Sequence, residues 1–240
     1  LDVFNYNFAR EYDQLDIEVY YDEKIDLYYT YYNNYRMYLS RDYKKKSYII
    51  NYMRGILREQ DQRSPHYYNI NNLNFNEDTV ALDAGVAEGN FALDIINKVK
   101  KIYLVEADLN WCEALKYTFK PFGEKVVIIQ GYLGSGADGS ITIDEIVGNQ
   151  KLDIVKMDIE GKEYEALLGA RNTMERNPLQ MRICAYHNVD DCEKISNLLK
   201  QRMYTFNTSN GYMVFVVPEK LEKEETPQLV RGILCAEKSL

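Results

Sequence analysis

The chain predicts an α/β fold: a doubly wound, mainly parallel sheet with an antiparallel end, preceded by a helical N-terminal appendage. Three observations predict it. Short apolar runs near 80–82, 102–105, 126–129, 152–157 and 181–186 alternate with segments whose apolar residues recur at helical spacing. A small-residue turn, Ala84-Gly85-Val86-Ala87-Glu88-Gly89, joins the first of these runs to its helix. Further on, runs at 204–208 and 212–217 flank Asn210-Gly211, which is a hairpin signal.

Composition narrows the class. A chain of 240 residues holds one large domain, or one domain with an appendage. Hydrophobic residues at 46% and charged residues at 28% are ordinary for a globular protein and exclude a disordered one. A net charge of -8 argues against a nucleic-acid surface, which shows a basic stripe. The four cysteines have no C-x-x-C spacing and read as reduced thiols, Cys184 in the core, of a cytoplasmic protein. No apolar run is long enough to span a membrane, and LDVFNYNFAREYD lacks a charged-then-apolar leader pattern.

Residues 1–70 carry most of the 22 tyrosines and no glycine before Gly55. Ile25, Tyr28, Tyr29, Tyr32, Tyr35 and Leu39 share one helical face. Beyond Ser40, an expected N-cap, Ile49, Ile50, Met53, Ile56 and Leu57 make a second stripe. Two helices are expected. They either cover the sheet or join two subunits of a homo-oligomer; alternatively their tyrosines form a wall for a sugar. From Asp61 to Asp78 the composition shifts to Asn, Gln, Ser and Pro, which sets the boundary between an N-terminal segment 1–70 and a domain 71–240. His66 lies there and reads as a surface histidine.

The stretch from Val80 to Glu106 is strand, glycine turn, helix, strand, with an acid about 20 residues after the first glycine. Glycines at 85 and 89 let backbone pass close beneath a ligand. Glu106, at the tip of the second strand, can accept both hydroxyls of a ribose. The spacing is D-x-G-x-x-x-G, without the helix-terminus approach that a dinucleotide pyrophosphate needs. Asp83 would repel a phosphate but suits the ammonium of S-adenosylmethionine.

Further along, Asp108 caps a helix carrying Trp111, Leu115 and Phe119, which Pro121 ends. The Gly131-Tyr132-Leu133-Gly134 stretch reads as a loop beside the cofactor, and 140–144 as a short extended segment. A strand at 152–157 delivers Asp158-Ile159-Glu160-Gly161, and a helix from about Lys162 to Arg171 follows. A strand at 181–186 delivers His187 and Asn188, and Asp190 caps the next helix. A charged loop spans Pro218 to Pro227, and Leu229 to Ala236 makes a last strand. Asp83, Glu106, Asp158 and His187 thus stand at carboxyl ends of strands, where open sheets bind ligands. Lys156 reads as a solvated or strand-edge charge.

L-D-A-G-V-A-E-G-N-F, V-E-A-D, D-I-V-K-M-D-I-E-G-K-E-Y-E-A-L-L-G-A and A-Y-H-N together resemble the FkbM-type S-adenosylmethionine-dependent methyltransferases, from about Thr79 to Met213. The resemblance implies a Rossmann-like sheet of the class I methyltransferase type. It also implies an O-methyltransferase acting on a hydroxyl of a sugar, glycan or small natural product. The alternatives are a protein or RNA acceptor, or a cofactor-binding scaffold without turnover. It places Asp83, Gly85, Glu88, Gly89, Glu106, Tyr132 and Asp158 on S-adenosylmethionine, and His187, Asp158 and Glu160 in the catalytic cleft. Ala87 stands where the family often has Asn. No metal is expected, since no close i, i+4 pair of ligands occurs.

Overall fold

The computed structural model describes residues 6–215 and 228–238, so the expected charged loop over Pro218 to Pro227 lies outside the described residues. Its centre is a seven-stranded sheet. β4 (Val80–Ala84), β5 (Lys101–Glu106), β6 (Val126–Gln130), β7 (Ile154–Met157) and β8 (Gln180–Cys184) are parallel. β12 (Ile233–Lys238) pairs antiparallel with both β8 and β9 (Tyr204–Thr208). The order is β6-β5-β4-β7-β8-β12-β9. The chain runs outward from β4 through β5 to β6, then returns to lay β7 on the other flank of β4. The crevice beyond β4 and β7 is therefore the topological switch point.

Strand alternation sorts the residues onto two faces. Leu82, Ala84, Tyr103, Val105, Val155 and Met157 pack in one buried cluster. Their neighbours Ala81, Ile102, Leu104 and Ile154 face the other cluster, with Phe91 and Ile95 from α2 (Asn90–Ile95) and Leu115 from α3 (Leu109–Thr118). α4 (Ile143–Val147), α5 (Glu163–Leu168), α6 (Arg171–Arg176) and α7 (Asp191–Gln201) follow in chain order. Among the described residues no helix is long and apolar enough to cross a membrane.

The N-terminal region corrects the expected helical appendage. α1 (Lys46–Glu59) forms where the Ile49–Leu57 stripe places it, with Ile49 and Met53 buried. Residues 20–38 are instead a three-stranded antiparallel sheet: β1 (Tyr20–Asp22), β2 (Leu27–Tyr32) and β3 (Tyr35–Tyr38). The reason lies in Asn33 and Asn34, whose φ angles of 49° and 67° make a two-residue turn between Tyr32 and Tyr35. Both central residues of such a hairpin turn need positive φ, which asparagine tolerates. Aromatic residues favour strands as well, and within β2 they fall on both faces of the sheet. Nor does the region stand apart as an appendage. Val19, Met37, Leu39, Ile49, Met53, Tyr68 and Ile70 share one core with Ala81, Phe91 and Ile102, so packing runs across the 70/71 boundary.

Three smaller expectations also change. Thr142 starts α4 within the segment expected to be extended, through a capping box with Glu145. The 204–208 and 212–217 runs do not pair with each other: β9 pairs β12, while β10 (Met213–Phe215) pairs β11 (Gln228–Val230) in a separate ribbon. The last strand is divided between β11 and β12 at Gly232, where a Cβ would come within 2.0 Å of the Pro65 carbonyl oxygen.

Register also lines up Asp83, Lys156, Arg182 and Cys235 across the middle of the sheet. Arg182 is 1% exposed and pins the loop before β4, donating to the carbonyls of Tyr68 (2.9 Å) and Asn72 (3.2 Å) as well as Met181 (3.0 Å). Arg182→Met should leave these carbonyls without a donor and cost roughly 2–5 kcal/mol. Urea denaturation measures this; a loss under about 0.5 kcal/mol, the scale of a neutral surface change, would show that the loop is held by other contacts.

Candidate active site

The site grows from the β4–β7 pairing. Ala84 lies opposite Met157, so Gly85 and Asp158 leave the sheet side by side, and the Asp158 N–H donates to the Ala84 carbonyl (3.0 Å). The approach leaves no room for a side chain: a Cβ on Gly85 would stand 1.6 Å from the Asp158 carbonyl oxygen. Gly85 also has φ +69°, a conformation that glycine adopts without strain.

Lys156 sets the turn from beneath. It is buried, not the solvated charge expected. Its Nζ donates to the Gly85 carbonyl (2.7 Å) and lies 3.1 Å from Asp83 Oδ1. Burial alone would lower its pKa, but the Asp83 charge holds it above the ordinary lysine value. Asp83 is itself fully buried and faces Lys156, so it supports the turn from behind instead of meeting a ligand. Gly89 likewise caps α2. Glu106 reaches back across the crevice, accepting from the Ala87 N–H (2.9 Å) and the Asp108 N–H (2.8 Å).

Two cavities open around this turn. The smaller, about 330 Å³, is lined by Glu106, Trp111, Tyr132, Ile159 and Lys162. The larger, about 440 Å³, is lined by Tyr52, Glu59, His66, Tyr68, Glu88 and Tyr186, among others. Both include Gly85, Ala87, Asp158 and Glu160, so the two spaces meet at these four residues. The structure therefore brings Gly85, Glu88, Glu106, Tyr132, Asp158 and Glu160 to the crevice and leaves Asp83 and Gly89 behind it.

Asp158 is the hub. Tyr68 donates to its Oδ2 (2.9 Å) and Tyr186 to its Oδ1 (3.2 Å), while His187 Nε2 lies 3.3 Å from Oδ1. Burial alone would raise its pKa; the His187 contact and the Lys156 charge instead hold the carboxyl well below the ordinary carboxylate range. His187 sits among three acids, its Nδ1 3.1 Å from Glu163 Oε1 and its Nε2 also 3.7 Å from Glu160 Oε2. Burial would lower its pKa, but Asp158 and Glu163 push it up to about 10. An imidazole held this way is charged at neutral pH and poorly suited to accept a proton. The Nδ1 contact is close but misaligned for a hydrogen bond, and Glu163, 0% exposed, keeps its Oε2 without a partner.

His66 is the residue sequence reasoning misplaced. It is buried, with Nε2 2.7 Å from Tyr186 Oη and Nδ1 3.3 Å from Gln60 Nε2. The Gln60 amide is a donor, which makes Nδ1 the acceptor and puts the ring proton on Nε2. A directional chain results, Gln60 to His66 to Tyr186 to Asp158. Burial pushes the His66 pKa down to about 4. Glu59 also went unnoticed, since it ends an amphipathic helix and carried no motif. The acids and His187 do group closely enough to hold a cation: Asp158, Glu163 and His187 offer ligand atoms within 4.8 Å of one another.

Only two histidines occur, so their signals in a ¹H–¹⁵N spectrum are separable. At neutral pH one ring should be fully charged (His187) and the other neutral and Nε2-protonated (His66). The stability consequences have opposite signs. His187, raised above its unfolded value of 6.5, stabilises fully below pH 6.5 and loses that contribution as pH rises through about 10. His66, lowered, contributes above pH 6.5 and loses it as pH falls to about 4. Two rings titrating together near 6.5 would contradict the arrangement.

The methyltransferase FkbM domain matches residues 137–212, a span that includes Asp158, Glu160 and His187. The fold is similar to that of the FkbM methyltransferase from Methylobacillus flagellatus KT, with a TM-score of 0.52 and 18% identity over 80% of this chain. The chain spans 55% of the length of that structure. It is also similar to precorrin-6y C5,15-methyltransferase from Geobacter metallireducens GS-15, with a TM-score of 0.50 and 13% identity, covering 73% of this chain and 89% of that one. No curated protein sequence matches. The seven-stranded sheet is thus class I methyltransferase-like in fold, and residues 137–212 are similar to the methyltransferase FkbM domain.

Proposed function

We propose that the protein transfers a methyl group from S-adenosylmethionine to a hydroxyl of a sugar, glycan or small natural product. The observation that carries this reading is the meeting of two cavities at Gly85, Ala87, Asp158 and Glu160. A group transfer needs donor and acceptor in separate spaces with one shared point.

The smaller cavity suits the donor. Glu106 keeps lone pairs free for ribose hydroxyls after accepting its two backbone N–H groups. Tyr132 offers an exposed ring to a flat base, and the glycine turn leaves backbone open to the amino-acid end. S-adenosylmethionine supplies an electrophilic methyl on a sulfonium. The chain's own work is to seat the acceptor oxygen beside Asp158 and to receive its proton.

The expected base, His187, does not fit that task, since its ring is already charged and stands behind Asp158. Its role in this reading is to fix Asp158, which accepts a hydrogen bond from the acceptor and aims its lone pair. As the methyl transfers, the hydroxyl proton passes along that hydrogen bond to Asp158, and Glu160, at the mouth of both cavities with its side chain 91% exposed, relays it to solvent.

Glu106→Ala removes charge-assisted hydrogen bonds worth about 1.5–3 kcal/mol, roughly a ten- to hundredfold loss in affinity. Calorimetry with S-adenosylhomocysteine reads it, and unchanged affinity in a folded variant would place the nucleoside elsewhere. Incubation with radiolabelled S-adenosylmethionine and fractionated cell glycans tests the acceptor class. Label appearing only in protein or RNA would overturn it.

A further inference from the structure

We propose that the larger cavity takes a hydroxyl compound that also carries a positively charged amine, with Glu59 receiving the ammonium group. The proposal rests on the acceptor reading above and names the class of acceptor. It follows from which charges in the cavity are already used.

Among the described residues four carboxylates line the space, Glu59, Glu88, Asp158 and Glu160, against two basic side chains, Arg58 and Lys156. Lys156 is held by Asp83 and the Gly85 carbonyl. Arg58 is not free either. Glu88 accepts from the Tyr52 hydroxyl, and Asp158 is bound by Tyr68, Tyr186 and His187. Glu160 is at the rim. Glu59, the last residue of α1, accepts no hydrogen bond among the described residues, yet it opens onto the cavity. Burial, with the charges of Asp158 and Glu88, pushes its carboxyl up to about 7 against the opposing pull of the Arg58 charge. The His66 ring nearby is neutral and brings no compensating charge.

A carboxylate in this position is completed by a mobile cation. An ammonium brings three donors and the missing charge. The rings of Tyr52, Tyr68 and Tyr186 line the same space, offering faces to a sugar ring and to the cation. A phosphate-bearing compound would meet the opposite situation: four acids, and basic groups already committed. An amino sugar or amino alcohol fits the chemistry best.

The test titrates the protein, free and saturated with S-adenosylhomocysteine, with D-glucosamine, D-glucose and N-acetyl-D-glucosamine at neutral pH. Glucosamine should bind at least about tenfold more tightly than the two uncharged sugars, as one charge-assisted contact allows. Glu59→Gln should abolish the preference while keeping its S-adenosylhomocysteine affinity, which also reports that the variant is folded; Glu59→Asp should keep part of it. In the wild type, the Glu59 carboxyl ¹³C signal should move with glucosamine and not with glucose. Equal affinities, no binding of any sugar, or a preference that survives Glu59→Gln would overturn the proposal. So would glucosamine binding lost on saturation with S-adenosylhomocysteine, which would assign Glu59 to the cofactor's own ammonium. A failure of S-adenosylhomocysteine to bind would defeat the donor reading instead, and the free-protein titrations would still decide for Glu59.

Discussion

A buried lysine holds the centre of this molecule. Lys156 sits in mid-sheet and is 2% exposed, and Asp83 on the next strand, 3.1 Å away, pairs its charge. Their register, residue against residue across the β4–β7 pair, places the ammonium under the first glycine of the turn, where it binds the Gly85 carbonyl. Because a Cβ there would strike the Asp158 carbonyl, the turn and the β7 end can approach only in this way. Replacing either partner alone would leave an uncompensated charge in the interior. The pair therefore fixes the floor shared by both cavities.

Asp158 builds on that floor. Its two oxygens gather Tyr68 from the loop after α1, Tyr186 and His187 from the end of β8, and through Tyr186 the His66 ring. Two separate stretches of chain converge on one carboxylate, and Arg182 anchors the loop that brings Tyr68. The charge balance is local: one imidazolium between acids, one neutral imidazole, one carboxylate held ionised. Glu59 is left over from this accounting.

Much of the fold was legible because the parallel strands are continuous apolar runs, and the glycine turn and Glu106 are local in sequence. The N-terminal sheet was not legible from the tyrosine stripe, since Tyr28, Tyr29, Tyr32 and Tyr35 satisfy a helical period while tyrosine also favours strands. The Asn33-Asn34 pair was the signal that separated them. The site divides in the same way. Glu106, Asp158 and Gly85 could be placed by position at strand ends. His66 and Lys156 could not, because burial is decided by what packs over them: the His66 loop is closed by Arg182 from 114 residues away. Glu59 needed the helix to be docked before its direction had meaning.

The sheet order carries a consequence for assembly. β12 comes last among the described strands, yet it lies inside the sheet, between β8 and β9. β9 has no β-partner until β12 arrives, and β8 keeps one open edge until then. A chain in which β12 has not yet docked would thus present unpaired edges on β8 and β9, the kind of surface that recruits other strands. Docking of β12 therefore completes the sheet, and loss of β12 removes an interior strand and not a dispensable border.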